Sequence, residues 1–424
     1  KAIIRTSRLY AEMRAAENVG AQVPRNIAVD FPSAMQRMRR VQAHISRADS
    51  ARRLCEAGVD VYFGDAHFAG PRAVAVDGKT LHFKKALIAT GARAMTPSIP
   101  GLAEAGYLTN ANVFNLTECP RRLLVIGGGP LGCELAQAFC RLGSHVIIAQ
   151  DDPMFLPKEE RDAAQILSDA LARDGVEIHL NTAVAAVRME GGKKLVDLVS
   201  DDSKISVSVD EILVGIGRAP NVEGMDLEAA GVRYDSEAGI VVNDFLQTTN
   251  PRIYAAGDVC LEHKLTHTAD ASARIVVQNA LFLGRKRLSA LTIPWCTYTD
   301  PEIAHVGLYV REAREKAIPV KTFTVLMHDV DRAVTDGEEE GFVKIHVRDG
   351  TDHILGATVV ARHAGEMING LSLAITSGIG LRALARVIHT YPTQAEAFKM
   401  AADAYTRTRL TPTLRSLTRR WLAM

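Results

Sequence analysis

Leu123-Leu124-Val125-Ile126-Gly127-Gly128-Gly129-Pro130-Leu131-Gly132-Cys133-Glu134 is an apolar run that stops at glycines and resumes as Leu135-Ala136-Gln137-Ala138-Phe139. The run predicts a buried strand, the glycines a tight turn, and the segment after them a helix. Gly127, Gly129 and Gly132 fall at the G-x-G-x-x-G positions of a dinucleotide-binding turn, with Pro130 inside it. The first glycine allows the turn, the second lets a pyrophosphate approach the backbone, and the third lets helix and strand pack closely. The phosphates would rest on unsatisfied N–H groups at the positive end of the helix.

After Gly143 comes a second apolar run, His145-Val146-Ile147-Ile148-Ala149-Gln150. A βαβ unit needs such a strand, and the residue at its end reads the adenosine ribose. An acid there favours NAD, and a nearby arginine favours NADP. Here Gln150 is followed by Asp151 and Asp152, with no basic residue before Lys158. The balance leans toward NAD, although glutamine serves either cofactor.

The chain has 424 residues, enough for two or three domains. Its 47% apolar and 23% charged content is that of a globular protein, and a net charge of +1 gives no reason to expect nucleic acid as partner. No apolar stretch approaches the about 18 residues that a membrane span needs. Six cysteines, at 55, 119, 133, 140, 260 and 296, form neither C-x-x-C nor a zinc pattern. Cys133 and Cys140 would share a helix roughly 10 Å apart along its axis, too far for a disulfide. Free thiols in a reducing cytoplasm are the expectation, and no metal site is expected.

Along the chain, Arg5–Glu17 and Ser33–Ala57 read as helices, with Ser33 as N-cap of the second. Short strands are expected at Val59–Tyr62, Arg72–Val76 and Thr80–His82, the last two joined by the Asp77-Gly78 turn. Lys85–Ala92 predicts a buried strand ending in Thr90-Gly91. Further on, a helix is expected at Glu159–Asp174 and strands at Val176–Leu180 and Asp210–Val214. A hairpin is expected around Glu190-Gly191-Gly192, a strand at Arg252–Asp258, and a helix from about Asp270 to Gly284. Beyond Pro294 the texture changes to strands and two helices, with the acidic loop Asp336–Glu340 and no glycine turn. There is no internal repeat or low-complexity tract.

The order of these signals resembles the FAD-dependent pyridine nucleotide–disulfide oxidoreductases, and most of all their mercuric-reductase-like members. Four stretches carry the likeness: Ala89-Thr90-Gly91-Ala92, Gly127–Glu134, Ala255-Ala256-Gly257-Asp258, and the region from Pro294 through Tyr391-Pro392-Thr393-Gln394-Ala395-Glu396. The resemblance implies that Thr90, Gly91, Gly257 and Asp258 belong to an FAD domain, Asp258 accepting a hydrogen bond from the ribityl chain. Taken alone, Gly257-Asp258 reads as an ordinary turn. The resemblance also implies that Glu134 lies near the nicotinamide–flavin junction and that Gly217 and Arg218 line the nicotinamide site. An isolated glutamate there reads as a helix-dipole partner, and Arg218 reads equally as a surface ion pair.

The departures from the family pattern are informative too. The family opens with its own strand–G-x-G-x-x-G–helix and then C-x-x-x-x-C-x-P-S-K, and this sequence has neither. Instead Lys1-Ala2-Ile3-Ile4-Arg5 resembles the residues that begin at that lysine. The expectation is therefore an N-terminally truncated copy, with Lys1 pairing with Glu134 beside the flavin in the complete protein. The family's acid/base is a His before Pro-Thr, oriented by a Glu five residues on and supplied by the partner subunit. Here Tyr391 stands in the histidine's place, Glu396 holds the acid position, and His389 lies two residues earlier. Tyrosine, with a reference pKa of about 10, is a poor base at neutral pH. His263 and His267, although spaced like helical metal ligands, read as the loop before a helix. The mercuric-reductase C-terminal cysteine pair does not occur here, which puts mercury in doubt as substrate.

The resulting expectation is an α/β fold with two Rossmann-like nucleotide-binding domains and a C-terminal α+β dimerisation domain. The FAD domain would comprise 1–120 and 236–293, interrupted by an NAD(P) domain at 121–235. The dimerisation domain would follow at 294–410 and a basic tail at 411–424. The implied protein is a homodimeric, cytoplasmic flavoenzyme passing hydride from NAD(P)H to FAD and on to a thiol/disulfide or metal-ion acceptor. Two rivals are a transhydrogenase or oxidase without thiol relay, and a non-enzymatic dimerising NAD-binding fragment.

Overall fold

The apolar run of the glycine motif forms the strand Arg122–Ile126, which pairs in parallel with His145–Ala149 on one side and Glu211–Val214 on the other. A strand flanked on both edges and covered on both faces must be apolar throughout. Leu123, Leu124 and Val125 are accordingly fully buried, each contributing about 1.5–3 kcal/mol. The computed structural model describes residues 1–24, 26–201 and 203–423, and the chain divides into two units. The first comprises Lys1–Gly132, Ala138–Asp151 and Asn181–Leu291; the second comprises Cys133–Gln137, Asp152–Leu180 and Thr292–Met424.

In the first unit a further parallel pair joins Ala86–Ile88 to Ile253–Ala255. Two antiparallel three-stranded sheets accompany it, one of His67–Gly70, Ala73–Val76 and Lys79–His82, the other of Ala183–Glu190, Lys193–Val199 and Lys204–Val209. The short strands Ala92–Ala94 and Arg218–Pro220 also pair.

The second unit is built on a five-stranded antiparallel sheet, in the order Pro294–Thr297, Glu302–Gly307, Ile354–Ala361, Phe342–Arg348 and Val320–Leu326. The helices Ala364–Thr376 and Glu396–Thr408 lie on it. Met367, Ile368, Leu371 and Ala374 of the first, with Ala397, Phe398, Ala401, Ala402 and Tyr405 of the second, recur at helical spacing and join the sheet in one core.

Several expectations are corrected. The N-terminal helix is Ala2–Arg14, and the long one ends early, at Phe31–Ser46. Asp30, not Ser33, is its N-cap, its carboxylate accepting from Ser33 N at 2.9 Å. Ser50 then caps a separate short helix, Ala51–Glu56, because a serine hydroxyl competes for backbone N–H and restarts the chain. Val59–Tyr62 forms no strand, and His67–Gly70 pairs with Ala73–Val76 instead. The helix expected from Asp270 begins at Thr266, so His267 lies in its first turn rather than in the loop. More helices than two follow Pro294, and the segment called a basic tail forms the helix Pro412–Leu422. Among the described residues no helix is long and apolar enough to cross a membrane.

Candidate functional site

The glycine turn is shaped by sterics within a few residues. Gly127 has φ +97°, and Gly129 precedes a helix, Pro130–Arg141, that opens with Pro130. A fixed φ suits proline to that first position. A Cβ on Gly132 would run into the carbonyl oxygen of Gly127, so only glycine lets helix and turn approach this closely. One strut comes from farther along the chain: Gln150 Oε1 accepts from Gly128 N at 2.6 Å. The side chain expected to read the ribose therefore braces the turn by accepting the Gly128 N–H, while Gly127 N donates to Ala149 O.

A second constellation forms where the parallel pair ends. Ala255 is in register with Ile88, and Ala256 N donates to Ile88 O. That register brings Ala89-Thr90-Gly91 and Gly257-Asp258 to the same edge. Thr90 Oγ1 donates to Asn221 O at 2.8 Å, and Asn221 Nδ2 donates back to Thr90 O at 2.9 Å. Arg218 Nη1 pairs with Asp258 Oδ2 at 2.9 Å, while its Nη2 donates to Ala92 O. The structure thus brings together Thr90, Gly91, Gly217, Arg218 and Asp258. It also adds Asn221, which the motif reading passed over although it closes Gly-Arg-Ala-Pro-Asn.

The residues of this edge fit a bound dinucleotide. Gly257 has φ +75°, and a Cβ there would stand 3.1 Å from Ala269 Cβ, at the opening of the helix Thr266–Leu281. In that first turn the buried Thr268 hydroxyl has no partner among the described residues. A close-packed glycine, an orphaned hydroxyl and a helix N-terminus form a cradle suited to a phosphate-bearing cofactor.

Glu134 is 9% exposed, and its Oε1 accepts from Tyr298 N at 2.9 Å. Lys1 is exposed and caps Ala2–Arg14, its carbonyl accepting from Arg5 N. Cys133, next to Glu134, is fully buried, and burial followed by that carboxylate drives its thiol far above the ordinary range. Burial likewise pushes Cys260 up to about 12. All six cysteines are free thiols, and neither of these two has the lowered pKa of a reactive thiolate. Among the described residues no group of His, Cys, Asp and Glu could hold a metal ion.

Tyr391 lies in a turn before the helix Glu396–Thr408, with a cis bond to Pro392. Its hydroxyl is exposed and donates to Asp331 Oδ2 at 2.8 Å, and that bond raises the phenol above its ordinary value. Asp331 thus accepts the phenol's hydrogen bond, while Glu396 stands in the first turn of the following helix. His389 Nδ1 lies 3.2 Å from Val387 O. Three residues past the tyrosine, the buried Gln394 donates to Glu338 Oε2 at 2.6 Å. Sequence reasoning missed Asp331 and Glu338 because each lies more than fifty residues from its partner.

The same unit holds a buried polar network. Glu159 accepts from Trp295 Nε1 at 3.1 Å and Tyr309 Oη at 2.6 Å, and burial raises its carboxyl. His305 is fully buried, stacked 3.6 Å from the Tyr309 ring, and burial lowers it to about 3. Burial pushes Glu160 upward, but hydrogen bonds from His346 and Lys344 outweigh it and bring the carboxyl to about 2.

Comparison with known proteins completes the picture. Residues 7–273 match the pyridine nucleotide-disulphide oxidoreductase family, and residues 293–402 match its dimerisation domain. A mercuric reductase from Staphylococcus aureus is 34% identical over 347 residues, covering 82% of this chain and 63% of that protein. A dihydrolipoyl dehydrogenase from Thermus scotoductus is 35% identical over 355 residues, 82% of this chain and 75% of its own length. Among solved structures, the HOCl-induced flavoprotein disulfide reductase RclA from Escherichia coli superposes with TM-score 0.84 at 27% identity, covering 95% of this chain and 88% of that one.

Proposed function

The chain belongs to the pyridine nucleotide-disulphide oxidoreductase family and carries its α/β fold and dimerisation domain, and on that premise we propose that it is an NAD(P)H-dependent FAD oxidoreductase working as a homodimer. The observation that carries this reading is the presence, in one unit, of two cradles: the glycine turn Gly127–Gly132, and the edge uniting Thr90-Gly91 with Gly257-Asp258. The chain spans 63% of the Staphylococcus aureus relative's length.

Gly127, Gly129, Pro130 and Gly132 would seat the nicotinamide dinucleotide's pyrophosphate on the N-terminus of Pro130–Arg141. Gln150, Asp151 and Asp152 favour NAD, since acids repel a 2′-phosphate and no basic residue follows them in sequence before Lys158. Thr90, Gly91, Gly257 and Asp258 would hold FAD, Arg218 fixing Asp258 and Gly217 lining the nicotinamide side. When bound, FAD supplies the two-electron chemistry between NAD(P)H and the acceptor. Glu134, held by Tyr298 N, would act catalytically beside the nicotinamide, and Lys1 would act beside the flavin. Tyr391 and Glu396 would face the acceptor, a thiol/disulfide or metal ion, in the partner's active site. The domain limits follow the sequence: FAD at 1–120 and 236–293, NAD(P) at 121–235, dimerisation at 294–410. The free thiols suit a reducing cytoplasm.

Two experiments test this. Anaerobic oxidation of NADH by the FAD-loaded protein, offered a disulfide, Hg(II) or a quinone in turn, should show turnover with the disulfide or the metal ion. Turnover with quinone alone would favour the oxidase or transhydrogenase reading. Replacing Glu134 with Ala should slow flavin reduction in stopped-flow more than it weakens NADH binding. Equal losses would remove Glu134 from the transfer step.

A further inference from the structure

The turn Thr390–Ala395 approaches the helix Asp331–Asp336 and the loop after it at two points. Tyr391 Oη meets Asp331 Oδ2 at 2.8 Å, and Gln394 Nε2 meets Glu338 Oε2 at 2.6 Å. The second bond sits deeper, since Gln394 is 6% exposed. Its amide orientation follows from the chemistry: only the NH₂ end can face a carboxylate. The carbonyl end is buried with no partner among the described residues, so the amide's hold on the turn rests on Glu338. Glu338 is itself fixed by Arg362 Nε at 3.3 Å, with His363 Nε2 at 3.8 Å.

We propose that Asp331 and Glu338 are positioning residues that clamp the Tyr391 turn, Glu338 anchoring its buried end and Asp331 accepting the hydrogen bond of the phenol O–H. The phenol oxygen is thereby left with its lone pairs directed away from Asp331, as a neutral acceptor rather than a base. An oxygen in that state suits a ligand that brings a proton or a positive charge, a thiol S–H or a metal ion, and suits an anion poorly. The charges that act on the phenol are Asp331, from the helix Asp331–Asp336, and Glu396, from the helix Glu396–Thr408, both acidic. Both acids oppose phenolate formation. The role assigned to the turn rests on the function proposed above, whereas the clamp itself is a property of the folded chain.

The test is the titration of Tyr391 in the intact FAD-loaded protein, read by ultraviolet difference absorbance or by ¹³Cζ-tyrosine NMR, with Tyr391→Phe identifying its signal. Tyr391 should titrate above the ordinary tyrosine value, and Asp331→Asn should bring it down, because the amide keeps an acceptor but loses the charge. Asp331→Glu should restore the raised value. Glu338→Ala, which removes the acceptor, should lower it as well, by freeing the anchored end. An ordinary titration in the wild type, or no change in Asp331→Asn, overturns the clamp. A change in Asp331→Asn with none in Glu338→Ala overturns the anchoring role of Glu338. These readouts do not depend on electron transfer, so a failed clamp leaves the proposed function standing, and absent turnover leaves the clamp standing.

Discussion

Two short turns, each leading into a helix, are held in opposite ways. The turn Gly127–Gly132 is fixed by its own backbone: a positive φ at Gly127 and a Gly132 too crowded for a side chain. The turn around Tyr391 is held by carboxylates from another segment, Asp331 and Glu338. The first is a matter of excluded volume among neighbours, the second of hydrogen bonds between distant residues. A locally determined turn tolerates almost no change in its own sequence, while a remotely pinned one depends on residues that no local motif reveals.

The strongest way to break the first turn is a single methyl group. Gly132→Ala should abolish measurable NADH binding and lower stability by about 1–3 kcal/mol, the cost of overpacking a filled site. Nucleotide fluorescence titration and thermal unfolding would check both, and retained tight binding would remove the steric account of the turn.

Acid should separate the regions next, because the unit that carries the Tyr391 turn also holds the buried network. His305 is lowered from 6.5 to about 3 by burial. An unfolded histidine takes up its proton near 6.5 and the folded one does not, so stability is fully present above about pH 6.5 and is lost as pH falls toward 3. Glu160, lowered from 4.5 to about 2, adds a further loss below about pH 4.5. The combined loss should be on the order of a few kcal/mol. Hydrogen exchange should show the sheet from Pro294 to Ala361 loosening before the strands around Arg122–Ile126. The reverse order would contradict the account.

Smaller effects sharpen the contrast. Gln150→Ala removes the hydrogen bond to Gly128 N and should cost about 1 kcal/mol, a several-fold weakening of NADH binding by calorimetry. Tyr391→Phe should change stability least, within about 0.5 kcal/mol in a denaturant melt, because its hydrogen bond is exposed. A large loss there would mean that the bond supports the fold rather than directing the phenol.

The same contrast explains what could be read from the sequence. The strand, turn and helix at 122–141 were legible because apolar periodicity and glycine spacing are local signals. Thr90-Gly91 and Gly257-Asp258 could be placed only through family resemblance, since a Thr-Gly or Gly-Asp pair alone marks any turn. The break between Ser46 and Ala51 was hidden because Arg and Ala continue through it with good helix propensity, and only the Ser50 hydroxyl interrupts them. Val59–Tyr62 has strand-like residues but no partner strand, and a strand exists only by pairing. Arg218 left two readings open, and its ion pair with Asp258 is compatible with both. The Asp331 and Glu338 contacts were not legible, since tertiary packing alone brings such distant residues together.

The central claim, that this scaffold binds both cofactors and lets hydride pass between them, is tested most directly by a visible absorption spectrum. The purified chain would be loaded with FAD, freed of excess, and recorded before and after anaerobic NADH. The account predicts a retained flavin band that bleaches on NADH addition. Absence of bound flavin, with NADH still binding at the glycine turn, would contradict it and leave a nucleotide-binding protein without the redox step.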